Sequence, residues 1–230
     1  MRVSKLPLIL SVKRGSGSWR QNDVNIESAD EEFKNIRSDV LQKSRFACKF
    51  CDFTCSTHQH AHHKDDNHRN NTPINLVCAC AYCHQCHHIG HAGVTGENAL
   101  IYFPERNQVW VNHMARLYFV SRLYKPNEYT EKIAKIYNYV KNVGMKNMLE
   151  VFGKTQDDFR STDPLWLANF LMSLDNDAYS QRMNWGVKFN SIRLLPLKDN
   201  DKARLQAWKK ALLPAEDWGF LMNDIDNMSI

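Results

Sequence analysis

Residues 48–91 contain the side chains best suited to chemistry, in the stretch CKFCDFTCSTHQHAHHKDDNHRNNTPINLVCACAYCHQCHHIGH. This stretch holds all seven cysteines and nine of the ten histidines of the 230-residue chain. Thiolate sulfur and imidazole nitrogen are the ligands that Zn²⁺ prefers in proteins. Their concentration predicts a metal-bound module, and it leaves open whether the metal supports the structure or takes part in a reaction.

Two C-x-x-C pairs, Cys48 with Cys51 and Cys80 with Cys83, have the spacing of zinc knuckles. Two such pairs separated by a loop can bring four thiolates to one tetrahedral ion. We therefore predict a structural zinc, because the alternative of buried or redox-active thiols leaves the pairing unexplained. The register stays open, since three further cysteines lie close enough in sequence to substitute: Cys55, Cys78 and Cys86.

Composition and charge exclude several broad classes of protein. The chain is 43% hydrophobic and 24% charged, which is typical of a globular protein and not of a disordered or fibrous one. Its net charge of +5 is compatible with nucleic acid or an acidic partner but identifies neither. The apolar run LPLIL is too short for a signal peptide or a membrane span, so we predict a cytosolic chain with reduced thiols.

The sequence divides into three segments, residues 1–45, 46–93 and 94–230, which we expect to pack as one unit. In the first, LPLILSV predicts a strand over residues 6–12, and Ser28 with Glu31 predicts a capping box ahead of a helix. That helix is expected to bury one stripe of apolar residues at helical spacing: Phe33, Ile36, Val40 and Leu41.

The third segment is predicted to be mainly helical. It begins with a strand, ALIYF, which Pro104 closes. Apolar patterning predicts the following helices, with an irregular link NSIRLLPLKDN before the last of them: 107–124, 128–152, 163–174 and 201–213.

The histidines between the knuckles follow an order of strand, loop, strand and helix. His62 and His63 end the first strand, Asn75 and Leu76 open the second, and Cys83 with His84 open the helix. The form H-H-x(n)-N-L-x-x-x-C-x-x-C-H resembles the HNH endonuclease, or ββα-metal, fold over residues 37–90. The resemblance implies an α+β protein, with an HNH-like core and zinc knuckles followed by the helical segment.

In HNH enzymes such a motif cleaves phosphodiester bonds, and the resemblance carries roles onto this sequence. His62 and His84 would hold a catalytic divalent ion (Mg²⁺, Mn²⁺, Ni²⁺ or Zn²⁺) separate from the structural zinc. His63 would be the general base, and Asn75 would orient that base or fix the loop. Three nearby residues are expected to meet phosphates: Lys64, His68 and Arg69. The histidines that match no motif position are expected at the surface or supporting the ligands: His58, His60, His87, His88 and His91.

Short motifs along nearly the whole chain resemble a second family. LILSVKRGSGSWRQ, the metal-rich stretch, GENALIYFPE and NSIRLLP with its basic helix occur in that order in the IcmJ/DotN family of type IVB secretion and conjugation systems. The resemblance implies a cytoplasmic subunit of the coupling complex, recruited to the inner membrane, that binds the C-terminal extension of the coupling ATPase. Members can lose the HNH histidines, whereas this chain retains His62, His63, Asn75 and His84.

Two functions follow from these resemblances. One is a zinc-stabilised adaptor whose partner surface lies on the helical segment, where aromatic anchors are available: Trp110, Tyr118, Phe119, Trp166 and Phe170. The other is a metal-dependent endonuclease that cleaves DNA.

Overall fold

The computed structural model describes residues 5–13, 26–65, 70–153 and 161–212. These residues form helices and two small antiparallel sheets, so the protein is α+β, as predicted. None of the described helices is both long and apolar enough to cross a bilayer.

The first helix, α1, spans Ile26–Lys43. It begins before Ser28, so the predicted capping box falls within the helix and not ahead of it, and its side chains lie outside those described. The predicted stripe is confirmed, because Val40 is buried against Ala61 and Leu76, with the partly buried Phe33 and Ile36 beside them. Helix α1 is thereby fixed to the hairpin that carries the histidines.

That hairpin consists of β1, Gln59–His63, and β2, Leu76–Cys80. The strands are antiparallel, with Gln59 opposite Cys80 and His63 opposite Leu76. Helix α2, Ala81–Cys86, follows β2 directly, and α3 spans Ile89–Val94. The predicted order of strand, loop, strand and helix is therefore present, and α3 was not predicted.

A second sheet joins distant parts of the chain and corrects one prediction. Strand β3, Asn98–Tyr102, is confirmed, and it pairs with β4, Ile192–Pro196. We predicted an irregular link over 190–200, which is wrong because IRLLP finds a partner strand far away in sequence. Its residues Ile192, Leu194 and Leu195 are buried.

The predicted N-terminal strand over residues 6–12 is also wrong, because residues 5–13 have no regular secondary structure. The backbone bonds of this stretch go to turns and helix ends and not to a neighbouring strand. The Leu6 amide donates to the Lys49 carbonyl, and Ser11 bonds the Cys86 carbonyl and the Ile89 amide. The segment therefore ties the knuckle to α2 and α3.

The helical segment agrees closely with the predicted ranges. Its long helices are α4, Gln108–Ser121, α5, Glu128–Phe152, α6, Pro164–Ser173, and α9, Lys202–Ala211. Three short helices that were not predicted connect α6 to β4: α7, Asn176–Ser180, a 3₁₀ turn, Gln181–Asn184, and α8, Val187–Asn190.

The largest buried cluster crosses from the metal-rich segment into the helical one. It contains the knuckle cysteines and Phe53 together with residues of α5 and α9, such as Ile133 and Trp208. Burying one continuous apolar cluster couples the stabilities of the elements that form it. The metal-rich segment and the helices around it therefore share a core.

Candidate metal centres

Four cysteine sulfurs converge at the junction of the knuckle and the hairpin. Cys48 and Cys51 lie in a tight turn after α1, in which Asp52 adopts a left-handed conformation with φ 62° and its amide donates to the Cys48 carbonyl. Cys80 ends β2 and Cys83 lies in α2. The four sulfurs all lie within 4.8 Å of one another, and all four residues are buried.

The donor set fits a structural zinc ion. Zn–S bonds of about 2.3 Å in a regular tetrahedron place neighbouring sulfurs about 3.8 Å apart, and the sulfurs of Cys51 and Cys80 are 3.7 Å apart. Four protein thiolates leave no coordination position for substrate, which is typical of a structural and not of a catalytic site. The geometry therefore favours the register Cys48, Cys51, Cys80 and Cys83.

The other three cysteines are buried outside this group. The Cys86 thiol donates to the Tyr82 carbonyl at 3.2 Å, and the Cys55 sulfur lies 3.9 Å from the Thr57 hydroxyl. Cys78 lies on β2 opposite Ala61, and burial raises the pKa of its thiol to about 11. None of the three occupies a position in the four-sulfur cluster.

Helix α4 aims two nitrogen donors at the sulfurs. Arg116 donates from Nη2 to the Cys80 sulfur at 3.0 Å, and Asn112 donates from Nδ2 to the Cys83 sulfur at 3.4 Å. Burial raises the pKa of the Cys80 thiol, but hydrogen bonds from Cys48 and Cys51 and the charge of Arg116 outweigh it and leave that pKa well below its ordinary value. At Cys80 the environment therefore favours the thiolate, which is the form that binds metal, whereas hydrogen bonds with the other sulfurs raise the pKa of the Cys51 and Cys83 thiols.

A second group of possible ligands lies beside the first. One ring nitrogen each of His62, on β1, His84, in α2, and His88, just before α3, lie within 4.8 Å of one another. Three imidazoles with a free fourth position are a set used by catalytic metal sites. The structure thus brings together the two predicted histidines and adds a third.

His88 was missed by sequence reasoning, although a signal was present. His84 and His88 are four residues apart, the spacing that places two imidazoles on one side of a helical stretch. Helix α2 ends at Cys86, so that only the structure shows both rings turning toward His62.

Burial keeps the imidazoles of His62 and His84 neutral near pH 7. It is the main cause that lowers the pKa of His62 to about 3, with the neighbouring His88 and His63 adding to it. Burial and the surrounding histidines also lower the pKa of His84 well below its ordinary value. Since only a neutral imidazole offers a lone pair to a metal, both rings are in the ligating form.

His63 and Asn75 make different contacts. The His63 Nε2 atom is 2.9 Å from Asn71 Oδ1, and its ring stacks on Phe33 at 5.3 Å between centroids. Asn75 donates to Asp65 Oδ1 at 2.8 Å and to the Asn70 carbonyl at 2.9 Å, so it joins the two described ends of the loop. Of the two roles predicted for Asn75, the geometry matches the one in which it fixes the loop. Asn71 is a partner of His63 that the sequence analysis missed.

The unmatched histidines mostly surround the three-histidine group. His60 stacks on His84 at 4.7 Å, and His87 stacks on His62 at 4.2 Å while its Nδ1 lies 3.0 Å from the Ser11 hydroxyl. His91 is exposed, and His58 contacts Thr57. Of the residues expected to meet phosphates, Lys64 is exposed, and His68 and Arg69 lie outside the described residues.

A cavity of about 490 Å³ opens onto this group. His60, His63, His84 and His88 line it, and three cationic residues, Lys13, Arg37 and Arg204, line it as well. Its described lining contains no carboxylate. A hollow lined by imidazoles and by cationic side chains has the electrostatics expected of a site for phosphate groups.

Comparison with known proteins gives one informative match. No family model matches the chain. The chain is 28% identical over 199 residues to the Type 4 apparatus protein DotN of Legionella pneumophila, a match that covers 86% of this chain and 87% of DotN. Because 199 residues exceed the length of either the metal-rich or the helical segment, the similarity spans both.

Proposed function

Because the chain belongs to the IcmJ/DotN family, we propose that it is a zinc-braced component of a type IV secretion or conjugation apparatus that docks on the C-terminal extension of the coupling ATPase. One observation carries this proposal: the similarity to a type 4 apparatus protein extends over 86% of the chain. A resemblance limited to a zinc knuckle would not have distinguished this function from others. The adaptor is recruited to the inner membrane through its partner.

The zinc in this proposal is structural. Four buried sulfurs within 4.8 Å of one another hold the knuckle against β2 and α2. A tetrathiolate zinc joins segments that lack enough apolar surface to fix themselves. The metal therefore stabilises the fold of the adaptor and does not contact the coupling ATPase.

The surface best suited to the partner lies on α6 to α8. Among the aromatic residues expected there, Phe119 is in the core and Tyr118 stacks on Tyr137 at 3.8 Å, so α4 offers little free aromatic surface. Phe170 of α6 is 37% exposed and packs edge-on against Trp185. Exposed Met183 and Val187 extend this apolar surface, as expected of a protein interface.

Binding to the coupling ATPase tests the adaptor function. Purified protein would be mixed with the C-terminal extension of the coupling ATPase from the same host, and affinity measured by calorimetry. We expect Val187→Asp, at a residue 75% exposed, to weaken binding at least about tenfold, because it places a charge in an apolar interface. The matched control is Ile74→Asp, at a residue 83% exposed on the loop of the hairpin, which should bind like the wild type.

A wild-type protein that neither binds this extension nor co-purifies with the ATPase would rule out the adaptor. If both aspartate variants bind as tightly as the wild type, the adaptor function stands, but the docking surface does not lie on the segment from α6 through α8.

The three-histidine group favours a second candidate function, metal-dependent cleavage of DNA by an HNH-type site. His62, His84 and His88 would hold a divalent ion, which supplies charge neutralisation for a scissile phosphate and its leaving oxygen. His63 lines the same cavity and would accept the proton of the attacking water, with Asn71 holding its ring in place. Lys13 and Arg37 would position the DNA backbone.

Nicking of supercoiled plasmid tests this candidate. The protein would be incubated with Mg²⁺, Mn²⁺ or Ni²⁺, and conversion to the open circle followed on a gel. We expect His63→Ala to lower the rate at least about a hundredfold, since general-base catalysis contributes factors of this order. His58→Ala is the control, because His58 does not line the cavity. Absence of nicking with all three metals would remove this candidate and leave the adaptor.

A further inference from the structure

Arg116 is a fully buried cation in the middle of α4, with 0% of its surface exposed. Its guanidinium donates to the Cys80 sulfur at 3.0 Å and to His113 Nδ1 at 3.0 Å. Aromatic rings cover it, with Phe53 at 3.8 Å and Trp208 at 5.0 Å from the guanidinium carbon. Among the described residues, no carboxylate forms an ion pair with it.

A buried cation without an anion is strongly destabilising, because it has lost its hydration and gained no opposite charge. Cation–π contacts with the aromatic rings offset only part of such a penalty. Neutral thiols would contribute little negative charge to compensate the guanidinium, whereas four thiolates around a divalent ion carry a net charge of −2. The anion beside Arg116 is therefore the thiolate set of the four-cysteine cluster, and a bound ion would hold all four sulfurs in that form.

We propose that Arg116 is the charge-compensating residue of the four-cysteine centre, and that it sets the affinity and electronic character of a tetrathiolate-bound divalent ion. This inference rests on the proposed metal occupancy of that cluster. Arg116 is a positioning residue, since it contacts the Cys80 sulfur and would not contact the ion.

The hydrogen bonds of α4 extend this role to both knuckles. Asn112 and Arg116 are one helical turn apart, so both face the sulfurs of the second pair. Because a guanidinium only donates, His113 accepts at Nδ1 and carries its proton on Nε2, which donates to the Cys51 carbonyl at 3.1 Å. Arg116 thus reaches Cys80 directly and the first knuckle through His113.

The test compares metal binding by full-length variants. Zinc affinity would be measured by competition with a chromophoric chelator. We expect Arg116→Met to lower it about 10- to 100-fold, the effect typical of losing a hydrogen-bond partner of a ligand. Arg122→Met is the control, because Arg122 ends the same helix and is exposed, away from the sulfurs. Arg116→Lys should recover part of the loss, since it retains the charge.

Cobalt substitution supplies a measurement that would not change if Arg116 had a purely structural role. Removing a hydrogen bond from a thiolate makes it easier to oxidise, so the sulfur-to-Co²⁺ absorption bands of Arg116→Met should shift to lower energy. Those of Arg116→Lys should shift in the same direction by less, because a flexible ammonium replaces the planar guanidinium. A generally loosened fold would weaken binding without moving the bands of the chains that remain loaded.

The outcomes separate the inference from the proposed function. A wild-type protein that binds no zinc would remove the metal centre and this inference with it. A wild type that binds zinc, with Arg116→Met matching it in affinity and cobalt spectrum, would overturn the role of Arg116 alone. If Arg116→Met does not fold, Arg116→Lys decides: unshifted cobalt bands, or a loss of affinity above about a hundredfold, would overturn the role.

Discussion

At the scale of single residues, this protein depends on buried polar side chains whose partners lie far away in sequence. The Asp199 side chain is fully buried and accepts from the Tyr82 hydroxyl at 2.8 Å and from Arg204 at 2.6 Å. It joins α2, which carries metal-site residues, to α9 near the end of the described chain. This buried ion pair and its hydrogen bond therefore hold α2 and α9 together.

We predict that Asp199→Ala lowers the free energy of unfolding by about 3–5 kcal/mol. The substitution removes the acceptor of the Tyr82 hydroxyl and the nearer of the two carboxylates that pair with Arg204, and breaking a buried pair has an effect of this size. Urea unfolding followed by circular dichroism measures it. The control is Glu150→Ala, which breaks the exposed pair with Lys146 at 3.7 Å and should change stability by less than about 1 kcal/mol. Equal losses of stability in the two variants would show that Asp199 does not hold α2 and α9 together.

Sequence reasoning named candidate metal ligands that belong to short motifs and missed side chains that only the fold brings to them. The C-x-x-C pairs follow from short spacing, and His62, His63 and His84 from the resemblance to the HNH motif. Asn71 and Arg116 carry no such signal. An asparagine in a polar loop and an arginine in a helix look ordinary until the fold places them beside His63 and Cys80.

At the scale of elements, the two wrong assignments have one physical cause. Residues 6–12 and 192–196 are both short, mainly apolar runs that contain a proline, yet only the second finds a partner, the edge of β3. Strand formation depends on pairing with distant residues more than on local propensity. Helices α4, α5, α6 and α9 were predicted well because their hydrogen bonds and apolar stripes are local.

The packing of α5 on β3 depends on a glycine inside the helix. A Cβ atom at Gly144 would lie 2.8 Å from the Cβ atom of Ile101, which is closer than real Cβ contacts allow. Ile101 is fully buried in the main cluster, so neither partner has space to move. Gly144 therefore sets the distance between α5 and the sheet.

We predict that Gly144→Ala destabilises the protein by about 1–3 kcal/mol, although alanine is the better helix former by about 1 kcal/mol. Overpacking against Ile101 outweighs the gain in propensity. The matched control is Asn142→Ala on the exposed side of the same helix, which should be neutral or slightly stabilising. Thermal unfolding of both variants measures the difference, and a stabilised Gly144→Ala would mean that α5 can shift away from β3.

At the scale of the whole molecule, the metal-rich segment and the helical segment share one core. The four knuckle cysteines belong to the same buried cluster as Ile133 of α5 and Trp208 of α9. Structural zinc binding contributes on the order of 10 kcal/mol, which is comparable with the entire stability of a typical domain. Loss of the metal should therefore affect every element packed on that cluster and not the knuckle alone.

We predict that Cys48→Ser removes tightly bound zinc and unfolds the helical segment together with the knuckle. Far-ultraviolet circular dichroism reports mainly the helices outside the metal-rich segment, such as α5 with 25 residues and α4 with 14, so a large loss of its signal would demonstrate the coupling. Zinc content, expected to be about one per wild-type chain, would be measured on the same samples.

Cys55→Ser is the matched control, because Cys55 is equally enclosed by the core but lies outside the four-sulfur cluster. It should retain zinc and lower stability by only about 1–2 kcal/mol, the effect of burying one hydroxyl. Helical signal that survives in a zinc-free Cys48→Ser protein would show that α4 and α5 fold without the metal. The shared core would then be a contact between two independently stable parts, and the metal would brace only the hairpin and its knuckle.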